Sequence, residues 1–273
     1  MVNMGNVWDR TSEFLSANMR ALLPVVLLAI LLPSAINVLV GGATGAINQM
    51  IVQGYALLCA LITMWGQLAV AALALDPDGG RARAMAAATG SFGRAVVAML
   101  IVFIVLAILA LPVIGVLAAS GVDLLALRNG GMMQANVSRG AATFVWIYAL
   151  LLGVAILVIT TRLALLYPVI LAEGGVVAAI RRAWALSRGM VWKMIGVWLL
   201  FGIVYLVANA AVTSGIGVVL GLVTDMTSPF SIGRILVAIL SGLVTTAFTL
   251  IVAAFSAKLY RAAITAREGV PAA

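Results

Sequence analysis

Residues 21–75 read ALLPVVLLAILLPSAINVLVGGATGAINQMIVQGYALLCALITMWGQLAVAALAL, without one charged side chain. A helix crossing a bilayer takes about 20 apolar residues. This run is therefore too long for one crossing and right for two, with Gly41-Gly-Ala-Thr-Gly45, Asn48 and Gln49 supplying the turn. Four more uncharged runs follow, at 95–122, 140–161, 194–224 and 235–257. The chain is 65% hydrophobic and 9% charged, with a mean hydropathy of +1.24. Soluble domains carry about 25% charged residues, so a water-soluble fold is excluded. The predicted architecture is all-α: one integral membrane domain, 1–273, with spans near 21–40, 51–75, 95–119, 141–166, 191–213 and 235–257. Amphipathic interfacial helices are expected near 7–20, 81–94 and 176–189.

The net charge of +8 would suggest nucleic acid in a soluble protein, but the positions of the charges point elsewhere. Six spans gather Arg10, Arg20, Arg81, Arg83, Arg94, Arg181, Arg182, Arg188, Lys193, Lys258, Arg261 and Arg267 on one side. Only Arg128, Arg139 and Arg234 fall on the other. Such asymmetry is a topology signal that puts both termini in the cytoplasm. No nucleic-acid partner is expected, because no separate basic domain exists. The N-terminal region carries Asp9 and Glu13 before a full-length apolar stretch, which reads as a retained anchor rather than a cleaved signal. Cys59, the single cysteine, falls inside the second span and gives no disulfide framework.

The most polar part of the second half is Glu173-Gly-Gly-Val-Val-Ala-Ala-Ile-Arg-Arg-Ala-Trp-Ala-Leu-Ser-Arg-Gly-Met-Val-Trp-Lys193. At 100° per residue, Val176, Val177, Ile180, Ala183, Trp184 and Leu186 share one half of a helix, and Arg181, Arg182, Arg188 and Lys193 the other. That pattern suits a helix lying on a membrane, with cations toward anionic headgroups and Trp184 and Trp192 at the boundary. Similar amphipathic stretches precede spans one and three. Three elbow-plus-hairpin units near 1–75, 81–172 and 176–260 result, although any even-span helical protein repeats hairpins.

Little in the chain can carry chemistry. It has no histidine, which removes histidine acid–base catalysis, Ser-His and Cys-His dyads and histidine metal ligation. Asp76 and Asp78, the only acids close in sequence, flank Pro77 and read as a solvated turn before a metal or acid–base pair. No Walker or dinucleotide fingerprint appears, and the Gly-rich segment 213–221 lacks lysine; it is expected to bend or unwind before Asp225. No cofactor and no catalytic residue is expected. The mid-span polar residues are Asn37, Gln67, Thr160, Asn209 and Thr213. Each can be an interhelical hydrogen bond, worth about 0.6 kcal/mol on average, or a cavity lining, for which Gln67 and Asn209 are the best candidates. Gly41/Gly45 and Gly217/Gly221 have the spacing of helix contacts. The outer loop 120–140 contains Asp123, Arg128 and Arg139.

Arg162 would cost about 2.5–3.5 kcal/mol at a bilayer centre, so the boundary is placed near Tyr167, where the side chain can snorkel. Arg162 and Glu173 lie eleven positions apart. An unbroken helix would place them on one face, as a brace under the surface helix or as a snorkelling cation and a loop-starting acid. Pro168 leaves that alignment open.

Arg162, Pro168, Glu173, Arg182, Trp184, Leu186, Gly189 and Trp192 form a pattern: an arginine, a proline, an acid, then a basic–Trp–Leu–Gly segment entering the next span. It resembles six-span bacterial inner-membrane proteins related to the membrane domain of glycerophosphoryl diester phosphodiesterases and to the YciC-like group. The resemblance implies an inner-membrane module. It does not imply phosphodiesterase activity, which in those relatives belongs to a separate soluble barrel with histidines. The expected function is a non-enzymatic membrane accessory or scaffold, associated with anionic lipid headgroups and with a membrane-protein partner. The alternative is a permease-like component for a lipidic or amphipathic solute.

Overall fold

The computed structural model describes residues 2–42, 49–122, 138–224 and 231–268. The turn around 43–48, most of the loop 120–140 with Asp123 and Arg128, and Asp225 with Pro229 lie outside them. The described residues are helical, with no strand among them. The elements are α1 (Met4–Val26), a π turn (Leu27–Leu31), α2 (Leu32–Gly42), α3 (Gln49–Leu75), α4 (Gly80–Ala119) and α5 (Arg139–Leu163). They continue with α6 (Leu166–Glu173), α7 (Val176–Leu186), α8 (Val191–Ala210), a second π turn (Ala211–Ile216), α9 (Gly217–Val223) and α10 (Ile232–Glu268). Six helical stretches are long and apolar enough to cross a membrane: Met4–Val40, Met50–Leu75, Gly80–Ala119, Arg139–Glu173, Val191–Val223 and Ile232–Arg267. This is a multi-pass membrane protein.

Three of the expected features take a different form. The stretches 7–20 and 81–94 are not separate elbows, because α1 and α4 run through them without a break. At 1.5 Å per residue, the 40 residues of α4 span about 60 Å, twice the hydrocarbon thickness of about 30 Å. Its basic, amphipathic first third therefore extends the span. Only Val176–Leu186 is a helix of its own, bounded by Gly174 and Gly175 at φ 66° and 72° and followed by Gly189 at φ 81°. Those left-handed conformations strain any residue with a Cβ. The Gly-rich segment after Asn209 stays helical, widening into a π turn.

The core gathers toward the end of the bundle that carries the termini, here called the basic end. Residues 68–74 of α3 are all buried, as befits a helix surrounded on every side by α1, α4, α6 and α10. Helix α4 packs on α3, α6 and α7, and its only buried residues are Ala84, Ala88, Ser91, Ala95 and Ala98. Small side chains at three- and four-residue spacing let two backbones approach closely. Two glycines do the same elsewhere. A Cβ on Gly66 would lie 2.9 Å from the Cβ of Ala29 within the first π turn, and one on Gly242 would lie 3.2 Å from Ala35. Away from the basic end, α4, α5 and α8 present their large apolar side chains outward, among them Phe103, Trp146, Leu150 and Leu206. The only buried residue of α5 is Thr161, one turn from its end.

Candidate functional site

Where α5 stops, its backbone steps through Ala164 and Leu165 before α6 begins. Pro168 causes no break inside α6, since it occupies the first turn, where a backbone N–H has no intrahelical acceptor to lose. The step lets Leu165, Leu166, Val169 and Ile170 enter the core between α3, α4 and α10. It also floors a cavity of about 380 Å³ lined by α3, α4, α5, α6, α8 and α10. The volume lies within the roughly 300–1,000 Å³ of small-molecule sites.

Met99, Val102, Leu157, Leu163, Leu166 and Val252 make most of this cavity apolar. Gln67, Thr160, Thr161, Tyr167, Trp198 and Ser256 supply the polar atoms. The hydroxyls of Thr160 and Thr161 donate back to Ile156 and Leu157 carbonyls at 2.8 and 2.6 Å, and that of Ser256 to the Ala253 carbonyl at 2.9 Å. Each hydroxyl oxygen can still accept a bond. The Gln67 amide offers two donors and an acceptor. Among the described residues no acid, lysine or arginine lines the space. A charged guest would lie unpaired in a low-dielectric site at a cost of several kcal/mol. The arrangement suits an uncharged molecule with hydroxyl or carbonyl groups and a large apolar part.

The other candidate, Asn209, is elsewhere. Its Oδ1 accepts the Ser241 hydroxyl at 2.7 Å, joining α8 to α10, which is the interhelical hydrogen bond considered for it. Thr213 donates to the Asn209 carbonyl within its own helical stretch, and Asn37 is exposed. Asp76 shapes the turn into α4: its carboxylate accepts the Gly79 N–H at 3.1 Å and pairs with Arg83 at 3.1 Å.

The proposed pairing of Arg162 with Glu173 gives way to two separate contacts, because the step between α5 and α6 breaks the helical register. Arg162 lies over the Trp184 ring, 4.7 Å from its centroid, and donates to the Trp184 carbonyl at 3.4 Å. Glu173 instead accepts from Arg182 at 3.2 Å and from the Tyr260 hydroxyl at 3.1 Å. Both contacts hold α7, whose Ala179, Ala183 and Leu186 are buried against the bundle. Arg181, Arg188, Trp192 and Lys193 are exposed, and Trp184 is partly so.

A set of basic residues near the C-terminus does work that the sequence reading assigned only to topology. Lys258 donates to the Ala74 carbonyl at 2.9 Å, and Arg261 donates to that of Leu75. Both carbonyls belong to the last turn of α3, where backbone acceptors lack intrahelical donors and cations are favoured. Arg267 treats α7 likewise, donating to the Ala185 and Arg188 carbonyls. With Tyr260 on Glu173, the C-terminal part of α10 fastens α3, α6 and α7 from two of its sides. With the sixth span expected to end near 257, Lys258, Arg261 and Arg267 fall outside any expected helix; the helix instead runs on to Glu268.

Compared with protein-family models, curated proteins and solved structures, the chain matches none of them.

Proposed function

We propose that this protein is a non-enzymatic, lipid-associated accessory module of the bacterial inner membrane that holds an uncharged amphiphile inside its bundle. The observation carrying this reading is the charge-free cavity around Gln67, with hydrogen-bonding groups set among apolar walls at the α5–α6 step. The resemblance of the Arg162–Trp192 region to six-span inner-membrane proteins supports the location, and the one-sided basic residues support cytoplasmic termini. The exposed arginines of α7 suit anionic headgroups. A membrane-protein partner fits the accessory role.

The test is direct. Protein purified in mild detergent is stripped of lipid and titrated with a fluorescent diacylglycerol, an uncharged amphiphile with hydroxyl and ester groups. Gln67→Leu is expected to weaken binding about threefold to tenfold, the worth of one net hydrogen bond. Asn209→Leu, away from the cavity, should leave binding unchanged. Equal affinities for wild type and Gln67→Leu would sink the reading. A permease-like component is the second reading, favoured by the outward-facing α4, α5 and α8. It requires proteoliposome flux that Gln67→Leu abolishes, whereas a holding module gives binding without flux.

A further inference from the structure

Two further cavities lie on the opposite side of α8, between it and the start of α1. One, of about 660 Å³, is bordered by Val2, Asn3, Met4, Lys193, Gly196, Val197 and Leu200. The other, of about 550 Å³, is walled by Trp8, Phe201, Phe248, Ile251 and Phe255 among others. They share Met4, Val197 and Leu200, so they form one groove. Along α8 its wall runs Lys193, Val197, Leu200/Phe201 and Val204, a stripe at helical spacing about 16 Å long. Aromatic rings make the lower part: Trp8 and Phe201 have centroids 5.8 Å apart, as do Phe201 and Phe255. The groove is graded. Among the described residues Lys193 is its single charged lining residue and stands at one end, while the other end is wholly apolar.

We infer that this groove is a binding site for one anionic phospholipid, its phosphate beside the Lys193 ammonium and an acyl chain lying along Leu200, Phe201, Val204 and Phe248. The charge matches at the polar end, and among the described residues no acid lines the groove to oppose it. The position matches too, because Lys193 lies in the first turn of α8, at the depth where a span meets the headgroup layer. Trp8 closes the wall with an apolar body suited to the same interface. The inference rests on the reading of the chain as membrane-embedded and is independent of any guest around Gln67.

The experiment uses the full chain in nanodiscs whose bulk lipid is phosphatidylcholine, titrated with phosphatidylglycerol and read by native mass spectrometry. One phosphatidylglycerol is expected to be retained per chain in preference to phosphatidylcholine. Lys193→Gln should lower that preference about fivefold, what one basic residue at an anionic surface contributes. Arg181→Gln, equally basic and headgroup-facing but outside the groove, should lower it much less. Leu200→Trp, at an exposed lining position, should displace the acyl chain and lower retention of both lipids. Equal loss in Lys193→Gln and Arg181→Gln would mean diffuse surface attraction and would overturn the site, as would undiminished retention in Leu200→Trp. Diacylglycerol binding to Lys193→Gln should match wild type, which separates failure here from failure of the central cavity.

Discussion

At the residue scale, the informative contacts are those that reassign Arg162 and Glu173. A planar guanidinium over an indole contributes about 0.5–2 kcal/mol, rising as the pair is desolvated. The Glu173–Arg182 pair is about one-third exposed on both sides, so solvent screening holds its coupling to about 0.5–1 kcal/mol. These figures give an outcome opposite to that of a direct Arg162–Glu173 brace. In a mixed-detergent unfolding titration, Glu173→Gln and Arg182→Gln should couple, the double change costing less than the sum of the singles. Arg162→Gln and Glu173→Gln should add to within about 0.5 kcal/mol, as sites without a shared partner do. Strong coupling in the second cycle would contradict the observed contacts. The reassignment could not be read from spacing alone. Eleven residues put two side chains on one face only along an unbroken helix, and the step at Ala164 and Leu165 turns the face away.

At the scale of elements, the close approach of α10 to α2 depends on Gly242. Its absent side chain lets Ala35 atoms come within 3.2 Å of where a Cβ would stand. Gly242→Leu must push the helices apart or force an unfavourable rotamer, and overpacking of this kind costs about 1–3 kcal/mol. Gly54→Leu provides the control, with nothing within 4 Å of its Cβ position; it should be neutral to within about 0.5 kcal/mol. Equal effects from the two, in the same titration, would remove the packing argument. Sequence spacing pointed to Gly41/Gly45 and Gly217/Gly221 instead. Gly45 lies outside the described residues, and Gly217 has only ordinary contacts, at 3.8 Å or more. Neither Gly66 nor Gly242 has a second glycine four residues away. Their role becomes visible only once the facing alanine is known. The helices themselves were legible, because uncharged runs of this length have no other way to satisfy their backbone in a membrane. The continuity of α1 and α4 through their amphipathic first parts was not: a helical period looks the same whether a helix lies flat or continues inward.

For the molecule as a whole, the charge asymmetry has two consequences. It supports the proposed orientation, and it supplies cations to the ends of α3 and α7. A reporter that is active only in the cytoplasm, fused after the C-terminal residue, should be active, and its periplasm-dependent counterpart silent. The reverse pattern would overturn the orientation while leaving the fold intact. Gln67 was identifiable in advance as a polar residue in an apolar span. Its companions Thr161 and Ser256 were not, since small hydroxyls that bond to their own helix carry no distinctive signal in sequence. The cavity they share is assembled from six helices, and no local pattern encodes it.

The fastening of α3, α6 and α7 by α10 also sets an order of events during synthesis. Spans emerge from the ribosome one after another, and the helix bearing Lys258, Tyr260, Arg261 and Arg267 is the last. Until it arrives, the carbonyls of Ala74 and Leu75 and those at the end of α7 have none of these donors, and Glu173 lacks its tyrosine. The first hairpin is thus synthesised well before its partner, since 184 positions separate Ala74 from Lys258. A chain stopped short of α10 is therefore an unfinished assembly, with its earliest helices still unclaimed.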